Sequence, residues 1–179
     1  QLYEGVEITG EGSVGLITYM RTDSLRISEE ALAAAGDVIK SRYGAAYYPG
    51  APRRYKPKSS AQDAHEAIRP SNVALYPELI EHDLTKDQFR LYKLIWSRFI
   101  ASQMENAVYD VTAIEAACGS HVFRATHQSL RFAGFTAIYE EGRDDEQEEA
   151  LSALPDLAQL LAGARRVAVL EDVGNYANI

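Results

Sequence analysis

Apolar and polar positions alternate in different rhythms along the chain, and each rhythm predicts an element. Residues 14–20, VGLITYM, are β-branched and aromatic enough for a short strand. Ser28 then has the features of a helix start: Glu29 and Glu30 sit where the macrodipole favours anions, and Lys40 and Arg42 fall in the last turn before Gly44. Residues 44–60, rich in Gly, Pro, Ser, Tyr and basic side chains, read as a loop with polyproline character. A short helix is expected next, with Ser60 as its cap, Asp63 three residues on and Pro70 as its stop. Thr85 and Gln88 form a capping box for a long helix over about 85–104. Its Phe89, Tyr92, Ile95, Trp96, Phe99 and Ile100 make one broad apolar face.

After Asn106 the period shortens. AVYDVTAIEAA and HVFRATHQSLRF flank Cys118-Gly119-Ser120 and predict a β-hairpin. FTAIY (135–139) suits a further short strand, EEGRDDEQEE (140–149) an acidic solvated loop, and RRVAVLE (165–171) a last strand after the Leu/Ala-rich stretch 151–162. No internal repeat is visible. The sum is an α+β chain: a mainly helical domain over 1–105, a β-rich segment over 106–172 and a tail over 173–179.

Composition narrows the class. At 179 residues and 46% hydrophobic content the chain has material for a real core. One cysteine, Cys118, excludes an internal disulfide framework. No signal-peptide pattern is present and no apolar run approaches the roughly 18 residues of a membrane span, so a soluble intracellular protein is expected. The net charge of −8 disfavours nucleic acid only as an average. Residues 1–70 hold nine acidic and nine basic side chains, whereas 141–179 hold nine and three, so six of the eight excess negative charges lie at the end. Contact with DNA depends on local basic patches, and RRYKPK, with Arg53, Arg54, Lys56 and Lys58, is one.

Two short stretches carry candidate chemistry. In GLITYMRTDS, an extended backbone aims Tyr19 and Arg21 to one side and Thr18 and Met20 to the other. A free phenol with a pKa of about 10 is a weak nucleophile at neutral pH, and a fixed cation beside it favours the phenolate. That cation also suits a phosphate oxygen and the charge that develops at phosphorus. Asp23 would hold Arg21 in place. The same spacing also fits a core tyrosine beside a surface Arg–Asp pair. In AHEAIRPS, helical spacing stacks His65 and Arg69 on one face with Glu66 turned away, which makes an anion site suited to phosphate. A helix terminus with satisfied polar side chains fits the spacing too. No second histidine stands four residues after His65, so zinc-protease spacing is absent. His82, His121 and His127 read as ordinary surface or strand positions.

Taken together, in this order and some 45 residues apart, GLITYMRTDS and AHEAIRPS resemble the signature segments of the type IA DNA topoisomerases, over roughly residues 1–140. The resemblance implies that Tyr19 attacks a phosphodiester of single-stranded DNA and becomes joined to the 5′ end, while a second strand passes through the gap before resealing. It implies that Arg21 assists at the scissile phosphate and that His65 contacts a nearby phosphate. Asp23, Glu66 and Arg69 match motif positions without a firm individual role, and Arg53, Arg54, Lys56 and Lys58 would add phosphate contacts. The helical domain would have a helix-turn-helix-like core, and the sheet would belong to the arch that lifts it when the gate opens. Magnesium would sit on an acidic Toprim domain that precedes the tyrosine segment in the family, with no metal ligand in this chain. The chain would thus be a central piece of a monomeric, cytoplasmic, nucleoid-associated bacterial enzyme, inactive without its other domains. Two alternatives remain open: a tyrosine recombinase-like transferase, where the tyrosine usually follows the basic residues, and a non-catalytic DNA-binding or interaction module.

Overall fold

The computed structural model describes residues 1–55, 65–118, 120–139 and 167–176. The chain divides into two compact units, Gln1–Glu105 and Asn106–Asn178. Helices and antiparallel strands together make the fold α+β.

The first unit opens with a hairpin absent from the sequence prediction. Strands β1 (Val6–Ile8) and β2 (Gly12–Val14) pair antiparallel from Val6↔Val14 to Ile8↔Gly12. Gly10 takes a φ of +86° in the connecting loop, a conformation that glycine tolerates. Asp83 anchors the hairpin: its carboxylate accepts from the Thr9 backbone N–H at 3.0 Å and from the Thr9 hydroxyl at 2.7 Å. These bonds hold the Asp83 carboxyl below its usual range.

The strand expected over 14–20 does not form. Val14 ends β2, and beyond it a single antiparallel bridge pairs Ile17 with Pro70. Proline has no N–H to continue a ladder, and the neighbouring backbone bonds go instead to a loop some 50 residues further on.

Helix α1 (Glu29–Arg42) starts as the sequence indicates, with the Ser28 hydroxyl accepting from the Ala31 N–H at 3.3 Å. Leu32, Ala35, Val38 and Ile39 are its buried stripe. Tyr48 closes over it at Gly36, where an added Cβ would stand 3.0 Å from the ring. A 3-10 turn at Ala45–Tyr47 interrupts the expected loop.

The helix expected from Ser60 to Pro70 is also corrected: residues 65–69 are non-helical, and 60–64 lie outside the described residues. The cause is competition for donors. The Ala67 N–H goes to the Arg26 carbonyl at 2.8 Å and the Arg69 N–H to the Thr18 hydroxyl at 3.0 Å, so neither can close a helical turn.

A single helical turn, α2 (Pro77–Ile80), precedes α3 (Lys86–Ser102). Thr85 and Gln88 form the complete capping box. On α3, Tyr92, Trp96, Phe99 and Ile100 are buried, while Phe89 and Ile95 are half-buried. Two of these aromatics also hold the chain entering α2: the Tyr92 hydroxyl donates to the Leu75 carbonyl at 2.6 Å and the Trp96 indole to the Val73 carbonyl at 3.0 Å. Burial pushes the Tyr92 phenol far up, so it stays a neutral donor.

The second unit is a three-stranded antiparallel sheet in the order β4-β3-β5. Strands β3 (Ala107–Cys118) and β4 (His121–Phe132) are the expected hairpin, paired from Val108↔Phe132 to Cys118↔His121. Strand β5 (Val167–Tyr176) pairs with β3 and runs past the expected end at 171 into residues the sequence assigned to a tail. FTAIY is not a strand. Gly134–Ala137 forms a 3-10 turn, with Gly134 at a φ of +51° pressed so closely on Asn106 that a Cβ would come 2.4 Å from its backbone. The acidic stretch 140–149 and the Leu/Ala-rich stretch 151–162 lie outside the described residues.

Candidate active site

Two loops laid side by side build the site. The Thr18 N–H donates to the Arg69 carbonyl at 2.9 Å, the Thr18 hydroxyl to the Ala67 carbonyl at 2.7 Å, and the Ser71 N–H to the Leu16 carbonyl at 3.0 Å. The Ser71 hydroxyl also bonds the Gly15 carbonyl. These bonds fix the register between the two motif segments. Leu16, fully buried, and Ile17, at 8%, root the first of them in the core.

Tyr19 projects from this seam and is 49% exposed. Its ring has two aromatic neighbours, Tyr3 at 5.5 Å between centroids and His65 at 6.3 Å, both inclined edge to face. Among the described residues its hydroxyl makes no hydrogen bond. That leaves both oxygen lone pairs open to an incoming group.

Asp23 joins Arg21 and His65. One carboxylate oxygen, Oδ2, meets Arg21 Nε at 2.8 Å and the other, Oδ1, meets His65 Nε2 at 2.5 Å. The His65 hydrogen bond, and then the Arg21 charge against the opposing cost of burial, hold the Asp23 carboxyl below its usual range. A carboxylate so placed stays ionised at neutral pH and aims both partners. Arg21 is half open to solvent, and His65 keeps only 15% of its side chain exposed. An exposed phenol against an imidazole that shares one carboxylate with a guanidinium suits attack on a phosphodiester, with the guanidinium ready for the charge that builds on it.

The other expected phosphate contacts fall elsewhere. Arg69 does not stack with His65: its guanidinium bonds Glu66 Oε2, at 2.9 Å from Nε, and the Pro70 carbonyl at 2.8 Å. Glu66, expected to turn away, is thus the partner of Arg69, and the pair shapes the loop that carries His65. Arg53 ties down the end of α3, with Nε donating to the Met104 carbonyl at 3.0 Å and Nη2 pairing with Glu105. Buried Gln103 clamps the backbone of Arg53 from both sides, accepting its N–H at 3.0 Å and donating to its carbonyl at 3.2 Å. Arg54 is exposed and makes a two-pronged pair with Glu29. Lys56 and Lys58 lie outside the described residues. Between Arg53 and Arg54, therefore, the basic patch serves packing and ion pairing in this structure.

Sequence reasoning passed over Thr18 and Tyr3. No signal in the sequence pairs Tyr3 with Tyr19; in the structure Gly15 admits the Tyr3 carbonyl, where a Cβ would come within 2.7 Å.

Against known proteins, a family model described as DNA topoisomerase matches residues 1–168. Among solved structures, full-length topoisomerase I from Thermotoga maritima in a monoclinic crystal form is similar at 33% identity and a TM-score of 0.66, with 100% of this chain covered and 27% of that one. The chain belongs to the type IA DNA topoisomerase family. It spans about a quarter of the length of the Thermotoga enzyme.

Proposed function

We propose that this chain carries the nucleophile of an enzyme that relaxes negatively supercoiled DNA through a transient single-strand break. The observation that supports it is the half-exposed Tyr19, in ring contact with a His65 that shares the Asp23 carboxylate with Arg21. The Tyr19 oxygen attacks phosphorus and releases its proton to solvent. The bond from phosphorus to the 3′ oxygen breaks, that oxygen takes up a proton and leaves as the 3′ hydroxyl, and the 5′ phosphate stays on Tyr19. Arg21 balances the charge on the phosphoryl oxygens, and His65 contacts a nearby phosphate. One phosphodiester replaces another, so the 3′ hydroxyl reverses the step after strand passage without a nucleoside triphosphate.

Magnesium, held on a Toprim domain elsewhere in the enzyme, would offset phosphate charge and position the DNA. Among the described residues no group of three or more His, Cys, Asp or Glu side chains is placed to hold a metal, and the steps above use this chain's own residues alone. Single-stranded DNA is the binding partner in this reading, with the enzyme acting as a cytoplasmic, nucleoid-associated monomer and this chain inactive by itself. Among the described residues no helix is long and apolar enough to cross a membrane.

The test mixes the chain with a separately produced Toprim-containing portion, magnesium and a single-stranded oligonucleotide. A denaturation-resistant adduct is expected on the 3′-labelled product, and Tyr19→Phe removes it. An adduct on the 5′-labelled product instead would overturn the reading in favour of recombinase-like chemistry. Relaxation of supercoils by the chain alone would overturn the claim that it needs the other domains.

A further inference from the structure

Tyr3 lies outside both motif segments, and the reaction as written makes no use of it. Its ring nevertheless touches that of Tyr19, with 5.5 Å between centroids and 61° between planes. The Tyr3 ring is 42% exposed, so packing in the core does not account for its placement. The backbone around it does. The Leu2 carbonyl accepts from the Leu16 N–H at 2.7 Å and the Ile17 N–H at 3.4 Å, and the buried Leu2 side chain anchors the turn. Gly15 allows the Tyr3 carbonyl to approach where a side chain would collide. The first residues are thereby bonded to the strand-like run that leads into Tyr19.

A half-exposed tyrosine has several staggered rotamers open to it. A nucleophile that must meet phosphorus within about 3–3.5 Å loses rate with every rotamer that points elsewhere. We propose that Tyr3 is a positioning residue for Tyr19: its ring edge, together with that of His65, holds the exposed Tyr19 ring in one orientation at the seam between the two motif segments. This rests on the reading of Tyr19 as the nucleophile. Among the described residues the Tyr3 hydroxyl makes no hydrogen bond; the ring alone makes the contact, and phenylalanine at position 3 preserves it.

The experiment measures single-turnover cleavage of an oligonucleotide by the enzyme complete with its Toprim domain, alongside non-covalent affinity for the same oligonucleotide. Tyr3→Leu is expected to slow cleavage about three- to tenfold, the scale of one aromatic edge contact, with affinity unchanged. Tyr3→Phe restores the wild-type rate. In the NMR spectrum of this chain, the Tyr19 ring resonances shift in Tyr3→Leu and hold in Tyr3→Phe, a readout that requires no reaction. Wild-type cleavage in Tyr3→Leu, or a loss of affinity in place of rate, overturns the positioning role while Tyr19→Phe still abolishes the adduct. An adduct that survives Tyr19→Phe sinks the nucleophile reading itself, and the positioning role with it.

Discussion

In the unit Gln1–Glu105, Leu16, Ile39, Tyr92, Ile100 and Met104 have no measurable exposure, whereas every residue of β4 from His121 to Arg131 is exposed. Of residues 106–116 and 120–139 in the second unit, the buried hydrophobic side chains are Ala107 and Ala113. The two regions are therefore held by different forces. In the first, α1 and α3 bury apolar stripes, and loops bonded to that frame keep a fixed shape. In the second, the long β3–β4 ladder supplies order through backbone hydrogen bonds and cross-strand pairs such as Arg131 with Asp110 at 3.2 Å. A reactive constellation of loop residues needs the first kind of support, and that is where Tyr19, Asp23 and His65 stand.

The contrast is broken or sharpened most strongly by truncating one large aromatic in each region. Trp96 is 2% exposed, fills the interface between α3 and the chain leading to α2, and donates to the Val73 carbonyl. Trp96→Ala is expected to cost about 3–5 kcal/mol through the cavity, the lost area and the orphaned carbonyl. Phe123, on β4, is 65% exposed, and Phe123→Ala is expected to change stability by no more than about 0.5 kcal/mol. Denaturant unfolding of the two variants measures both. Equal losses would show that the sheet relies on its side chains as heavily as the helical unit does.

Legibility in the sequence follows the same division between local and distant causes. The caps of α1 at Ser28 and of α3 at Thr85, the apolar face of α3 and the pairing of the neighbouring strands β3 and β4 all depend on residues close in sequence, and each formed as its local chemistry indicates. Residues 14–20 and 65–69 did not, because their hydrogen-bond partners are distant: Thr18 bonds Ala67 and Arg69, the Leu16 and Ile17 N–H groups go to the Leu2 carbonyl, and the Ala67 N–H goes to the Arg26 carbonyl. The β-propensity of residues 14–20 was overridden by these tertiary bonds. FTAIY begins in a 3-10 turn whose first residue, Gly134, takes a positive φ and packs against the Asn106 backbone, a contact invisible without the fold. For the site, Tyr19, Arg21, Asp23 and His65 were legible as motif members. That one carboxylate holds Arg21 and His65 together, that Glu66 takes Arg69, and that Arg53 serves the end of α3 are facts of distant pairing.

Thr18 is the next most sensitive point of the contrast, because it joins the two loops through one hydroxyl. Thr18→Val keeps the shape and strands both the Ala67 carbonyl and the Arg69 N–H, which bond that hydroxyl at 2.7 and 3.0 Å. A part-buried donor and acceptor left without partners cost about 1–3 kcal/mol. Unfolding measurements should show that loss, and Thr18→Ser should recover most of it. If Thr18→Val were as stable as the wild type, the loops would be held by their backbone bonds alone.

The smallest expected effect lies at Asp23, where the interaction is solvent-screened and shows as a titration rather than a large stability change. Its carboxyl titrates below the ordinary value of 3.8, with the His65 hydrogen bond as the largest cause. A folded-state pKa below the unfolded one means that the stabilising contribution is complete above pH about 3.8 and is lost as the pH falls through the lower, folded value. Removing the partner reverses the shift, so His65→Ala should move the Asp23 midpoint upward, toward 3.8. Arg21→Ala should do the same by less, since its charge is a lesser cause. Carbon-detected NMR of the Asp23 carboxyl follows both midpoints. A midpoint unmoved by His65→Ala would mean that Asp23 and His65 are not paired in solution, and Arg21 and His65 would then lack the common carboxylate that joins them.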